Sequence, residues 1–221
     1  MIELVARTCP AEAAPRALWS ASWWVVRRPA LVVPAALALV LVLGTAPALD
    51  DGYGLRVLRG VGVLLACAWV TTTDDPSGEV LAGSPYPRAV RSVTRFLAGG
   101  AAVGAAWLVA AAVVQWRAPE VPVLALGVEF LALAAVGLGL GATLRAWRDQ
   151  QHPAYTAVVG LAVLAFLSSA LPRWYALQQS QTWGPPWEAA QVRWAAVLLV
   201  AVGVLGLALR DPLARARARR T

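Results

Sequence analysis

The chain has no lysine; all nineteen of its basic residues are arginine. A phosphate loop of the Walker A kind ends in Gly-Lys-Ser or Gly-Lys-Thr, so nucleotide binding of that type is excluded. There is one histidine, His152, and there are two cysteines, Cys9 and Cys67, far apart in the chain. These residues offer neither metal-ligand spacing nor a disulfide framework, and no metal or other cofactor is expected. Only 14% of residues are charged. The titratable groups stand apart from one another, so no catalytic constellation emerges and the sequence does not predict an enzyme. The alternating apolar and polar segments of a membrane β-barrel are also missing.

What the sequence does contain is apolar. Hydrophobic residues make up 59% of the 221 and the mean hydropathy is +0.63, outside the range of a soluble domain. A bilayer core about 30 Å thick takes roughly 20 residues of helix. Six runs approach that length, at 30–48, 55–72, 94–115, 121–143, 155–171 and 189–209. The expected fold is all-α: a polytopic membrane protein with six transmembrane helices over 30–209. An N-terminal tail with an interfacial helix (1–29) precedes them, and a basic tail (210–221) follows.

The net charge of +7 reads as membrane topology and gives no reason to invoke nucleic acid. Fourteen arginines fall on one side of the six-span frame, among them Arg88, Arg91, Arg95, Arg145, Arg148 and Arg210. Arg56, Arg59, Arg117, Arg173 and Arg193 fall on the other. The richer side is expected to be cytoplasmic, with both termini on it. Trp116, Trp174, Trp183, Trp187 and Trp194 mark one interface, Trp19, Trp23, Trp24, Trp69 and Trp147 the other, and Trp107 alone is mid-span. The first run, in which "LVVPAALALVLVLG" is followed by "TAPA" with small residues Ala46 and Ala48, has features of a secretory signal. The long Trp-rich segment before it favours a retained span.

Three polar intervals stand out. "PRALWSASWWVVRRP" is amphipathic enough to lie in the headgroup plane, with Pro29 turning the chain into the bilayer. The loop at 73–95 carries "DDPSGEVLAGSP". There Asp75 is a good N-cap, Pro76 suits the first helical position, Glu79 suits the positive end of the dipole, and Gly83 can stop the helix. A short capped helix at 76–82 follows. The loop at 172–188 mixes Trp, Tyr and Gln, broken by Gly184, Pro185 and Pro186, and is expected either to close the outer end of the bundle in part or to serve as an interfacial aromatic anchor.

Inside the apolar runs the notable residue is Glu129. A charge there costs about 2.5–3.5 kcal/mol on the insertion scale, so it should face the bundle, a cavity or a partner. Arg59 lies at a comparable depth, where pairing with Glu129 and snorkelling to the headgroups are both open to it. Small residues at Gly100 and Gly104, and at Gly137 and Gly141, suit close helix contact.

An interfacial helix, six spans, a capped helix in the second-to-third loop and a large fifth-to-sixth loop together resemble the permease subunits of ABC-2 type, or type V, transporters. The resemblance covers nearly the whole length, and "DDPSGEVLAGSP" resembles the segment at this place in small actinobacterial ABC permeases. It implies that the N-terminal segment is an elbow helix and that 76–82 contains a coupling helix. It also implies that Asp74, Asp75, Pro76, Glu79 and Arg88 serve ATPase coupling. The implied partners are separate ATP-binding cassette ATPase subunits, a second permease subunit of the same or a paralogous chain, and membrane lipids. The implied location is the bacterial plasma membrane, and the implied activity is export of an amphiphile such as a lipid, drug or hydrophobic peptide. The competing expectation is a non-transporting membrane anchor or regulatory subunit.

Overall fold

Hydrocarbon offers no partner for backbone N–H and C=O groups, so long apolar runs satisfy themselves as helices. A computed structural model describes residues 28–74, 88–148, 152–170, 177–179 and 182–210. It contains helices α1 (Arg28–Thr45), α2 (Asp51–Val70), α3 (Arg88–Arg117), α4 (Val123–Arg148), α5 (Pro153–Ala170) and α6 (Pro185–Ala208). No strand occurs among the described residues, and each helix overlaps one of the apolar runs. Five of them, all but α5, are long and apolar enough to cross a membrane. The apolar stretch of α5, Pro153–Ser169, is shorter. The interfacial helix before Arg28, the capped helix at 76–82 and the tail after Arg210 lie outside the described residues.

Two boundaries differ from expectation. Helix α3 starts at Arg88, six residues before the apolar run, because arginine is a good helix former and only Pro87 stands in the way. Helix α6 starts at Pro185, where the sequence suggested the middle of a broken loop. Gly184 takes the turn at φ 82°, a conformation that suits glycine, and the two prolines then occupy the first helical positions, which need no N–H donor.

Local polar groups close the ends of α2. The Asp50 carboxylate accepts from Tyr53 N at 2.6 Å and caps its start. At the other end Thr71, Thr72 and Thr73 form a 3-10 turn whose hydroxyls donate to the carbonyls of Ala68, Trp69 and Val70 at 2.7–2.8 Å. Those bonds let Thr72 and Thr73 be buried.

Helix α4 is the centre of the bundle, against α6, α2 and α5, while α2 also touches α1, α3 and α5. The α2–α4 seam is close because Gly137 lies against Val70, and a Cβ at Gly141 would be 2.7 Å from Thr73 Oγ1. On α3, Gly100 lies under the Trp69 indole, whereas Gly104 meets nothing within 4 Å. Only the first glycine of that pair therefore permits a close approach. The rings of Trp107 and Phe130 stack at 5.7 Å in the core, beside Leu58, Val61 and Leu65. Helices α1 and α6 are peripheral and present apolar residues outward, including Val33, Val40, Leu199 and Val200. Outward faces this apolar are those of a multi-pass membrane protein.

Candidate functional site

Two clusters of polar side chains occupy opposite ends of the bundle. One gathers at Thr73, Asp74, Arg95 and Arg145 at the basic end, the other at Arg59 and Glu129 towards the far end.

Nearer the far end, Arg59 on α2 and Glu129 on α4 form a bidentate ion pair, with Nε to Oε2 at 2.9 Å and Nη2 to Oε1 at 3.0 Å. Arg59 is nine residues along α2 and Glu129 seven along α4, which places both about 10 Å from the start of their helices. Pairing is thus what the structure adopts, and Arg59 does not snorkel. Glu129 is only 3% exposed. In so dry a place two parallel charge-assisted bonds offset much of the cost of removing each ion from water.

The pair gathers further partners. Arg59 Nη1 donates to the Gln179 carbonyl at 2.7 Å, and Gln191 Nε2 on α6 donates to Glu129 Oε1 at 3.0 Å. The Trp187 ring lies 5.8 Å from the guanidinium carbon, within cation–π range. Trp194 Nε1 donates to the Leu177 carbonyl and Gln178 Nε2 to Ser168 Oγ, which hold the short described segment 177–179 on the bundle. Beside the pair a cavity of about 10 Å³, bordered by Leu58, Gly62 and Phe130, has room for roughly one water. The cluster therefore joins α2, α4, α6 and the 177–179 segment through one pair of charges.

At the basic end, Asp74 Oδ1 accepts from Ala154 N at 3.0 Å, so the residue after the Thr71–Thr73 turn caps the start of α5. Pro153 before it has no N–H, which makes the Ala154 amide the first donor of that helix. Arg95 Nη1 on α3 donates to the Asp74 carbonyl at 3.2 Å, and Arg145 Nη1 on α4 donates to the Thr73 carbonyl at 3.0 Å. Four helices thus meet at the two residues from which the 75–87 segment departs. Arg95 is buried here, although a positive-inside residue needs only to face water.

Of the sequence-derived site residues, the structure joins Arg59 to Glu129 and makes Asp74 the cap of α5. Asp75, Pro76 and Glu79 lie outside the described residues, and Arg88 is the first residue of α3. Gln179, Gln191, Arg95 and Arg145 were not singled out as site residues by the sequence. For Arg95 a signal existed, since Arg88, Arg91 and Arg95 fall on one face of a helix. For Gln179 and Gln191 the only hint was the run of glutamines beside tryptophans. Trp187 and Trp194, expected as interfacial anchors, are buried, and their rings cover the cluster and its loop.

No family model, curated protein or solved structure matches this chain. Its function must be argued from these two clusters and the apolar surface between them.

Proposed function

We propose that the chain is the membrane-spanning permease subunit of an ATP-driven exporter of the ABC-2 type. It crosses the bacterial plasma membrane six times, with both termini and the basic end in the cytoplasm. The shorter apolar stretch of α5 is within the lower range of known spans, about 17–25 residues. The charge asymmetry supports the orientation. Two such subunits, identical or paralogous, form the pathway, and separate ATPase chains supply the energy. The outward apolar faces and the scarcity of interior polar groups support an amphiphilic cargo.

The observation that carries this reading is the node at Thr73 and Asp74. A loop that receives a push must not leave the bundle through a slack joint. Here the joint is bonded to α3, α4 and α5 within two residues. Force applied at 75–87 would move those helices along with α2.

The test is co-purification with ATP-binding cassette subunits and substrate-stimulated ATP turnover. Asp75→Ala combined with Glu79→Ala should leave insertion near normal while weakening ATPase docking and uncoupling hydrolysis from transport. Unchanged docking and turnover would favour the second reading, a non-transporting anchor or regulatory subunit. That reading draws on the closed cluster at Arg59 and Glu129, where the adjoining cavity is only about 10 Å³.

A further inference from the structure

Trp107, the tryptophan of the mid-span, is 8% exposed and lies in the core of the bundle. Its indole N–H has no hydrogen-bond partner among the described residues. A buried donor is expensive to leave unpaired, and in folded proteins such groups are met by another polar group or by an ordered water.

What the N–H faces is a gap. Nε1 lies 4.0 Å from the position that a Cβ on Gly62 would take, and the nearest atom to that position is Phe130 Cβ at 3.6 Å. A glycine on α2 thus leaves room in front of the indole for one small group. Gly62 and Phe130 are also walls of the cavity of about 10 Å³ beside Arg59 and Glu129, and a space of roughly 10–15 Å³ is the least that admits a water.

Acceptors with spare capacity border the same space. Glu129 Oε1 accepts two bonds, from Arg59 Nη2 and Gln191 Nε2, whereas Oε2 accepts one, from Arg59 Nε. A carboxylate oxygen has two lone pairs, so Oε2 keeps one for a further donor. Gln178, another wall of the cavity, spends its amide nitrogen on Ser168 Oγ and keeps its amide oxygen. The lengths agree as well. Gly62 follows Arg59 by one turn on the same face of α2, a rise of about 4.5 Å, and a water spans about 5.7 Å between the nitrogen that donates to it and the oxygen that accepts from it.

We propose that this cavity is a binding site for a single water molecule, which accepts from Trp107 Nε1 and donates to Glu129 Oε2 and to the amide oxygen of Gln178. Three bonds are the usual complement of a buried water. A cation is the wrong occupant, because the Arg59 guanidinium borders the same space. The water brings α3 into a cluster that otherwise joins α2, α4, α6 and the 177–179 segment. It also explains the glycine, since any side chain at position 62 takes the water's place. The site goes beyond the transport reading and does not depend on it.

The experiment is solid-state NMR of the full chain, carrying isotope-labelled tryptophan and held in lipid bilayers. The Trp107 indole signal is the one that Trp107→Phe removes. Magnetisation that starts on water should reach it, and Gly62→Ala should abolish that transfer and shift the signal. Gly62→Ala should also lower the unfolding temperature, although alanine is the better helix former and its methyl meets only ordinary contacts. In the Trp107→Phe chain the same substitution should raise it, because no donor is then stranded. A parent chain that shows no transfer from water to Trp107 overturns the site, whether or not the variants fold. So does a Gly62→Ala chain that unfolds at a higher temperature than the parent with its indole signal unmoved, which is how a dry void behaves. These measurements involve no ATPase, so their failure leaves the transport reading to its own test.

Discussion

Glu129→Gln replaces one carboxyl oxygen by an amide nitrogen that opposes the N–H groups of Arg59. In the native cluster Oε2 accepts from Arg59 Nε at 2.9 Å, and Oε1 accepts from both Arg59 Nη2 and Gln191 Nε2 at 3.0 Å. The substitution removes at least one of these bonds and the whole counter-charge. A lone Glu129 would give the opposite expectation, since neutralising it would lower the insertion cost. Because Arg59 stays behind, breaking the buried pair should instead cost about 3–5 kcal/mol of stability. Arg59→Met should cost a similar amount by isolating the carboxylate. Combining the two substitutions removes both charges and leaves only neutral groups, the Gln179 carbonyl and the amides at 129 and 191, to find partners. The double variant should therefore be no less stable than either single one, a non-additivity of about 3 kcal/mol. Equilibrium unfolding of the four chains in matched mixed micelles measures it. Losses that add within about 0.5 kcal/mol would refute the idea that the two charges act as one unit.

The remaining predictions address topology, close packing and the node. Single cysteines at Ser77 and Ser180, in a background lacking Cys9 and Cys67, should label from opposite sides of the membrane; same-side labelling removes the six-span arrangement. Gly100→Val should displace the Trp69 ring and its 2.8 Å bond to the Phe96 carbonyl, lowering stability by about 1–3 kcal/mol, whereas Gly104→Val should unfold like the parent. Equal effects of the two substitutions would show that the Gly100 contact carries no weight. Asp74→Ala should remove the cap on α5 and cost about 0.5–2 kcal/mol even without any ATPase present, a loss visible as faster amide exchange at Ala154.

The apolar runs made the helices legible, because nothing but a helix satisfies so long a stretch of backbone in hydrocarbon. Their ends were less legible. The apolar count at α3 stopped at its arginines, although arginine continues a helix well, and Gly184-Pro185-Pro186 looks like a loop breaker until the glycine is seen to take the turn before the helix. Glu129 and Arg59 stood out because each is expensive in a span. Their pairing could not be read, since it depends on the rotation of α2 against α4, which Gly137 and Gly141 set through contacts with Val70 and Thr73. Gln179 and Gln191 were illegible for a related reason. Uncharged amides at the end of a span cost little, so nothing in the sequence marks them until the charges they serve have been placed.

Helix α2 connects the two clusters. Arg59 and Thr73 are fourteen residues apart on one continuous run of helix and turn, about 20 Å of nearly rigid rod. At the basic end the rod is bonded to α4 through the Thr73 carbonyl, and nearer the far end through two bonds between charged groups. Helix hydrogen bonds stretch little, so a push on the 75–87 loop that slides α2 along α4 must reach Arg59 almost undiminished. A slide of about 2 Å across a 2.9 Å bond lengthens it to about 3.5 Å, beyond hydrogen-bonding distance. Gln191 would stay with Glu129 and the Gln179 carbonyl with Arg59, so the two would be drawn apart, and α6 and the 177–179 segment would lose one of the links between them. In the proposed transporter the ion pair is then the latch that keeps the far end shut until the node at Thr73 moves. The closeness of α2 to α4 at Gly137 and Gly141 leaves no slack between the two ends to absorb the motion.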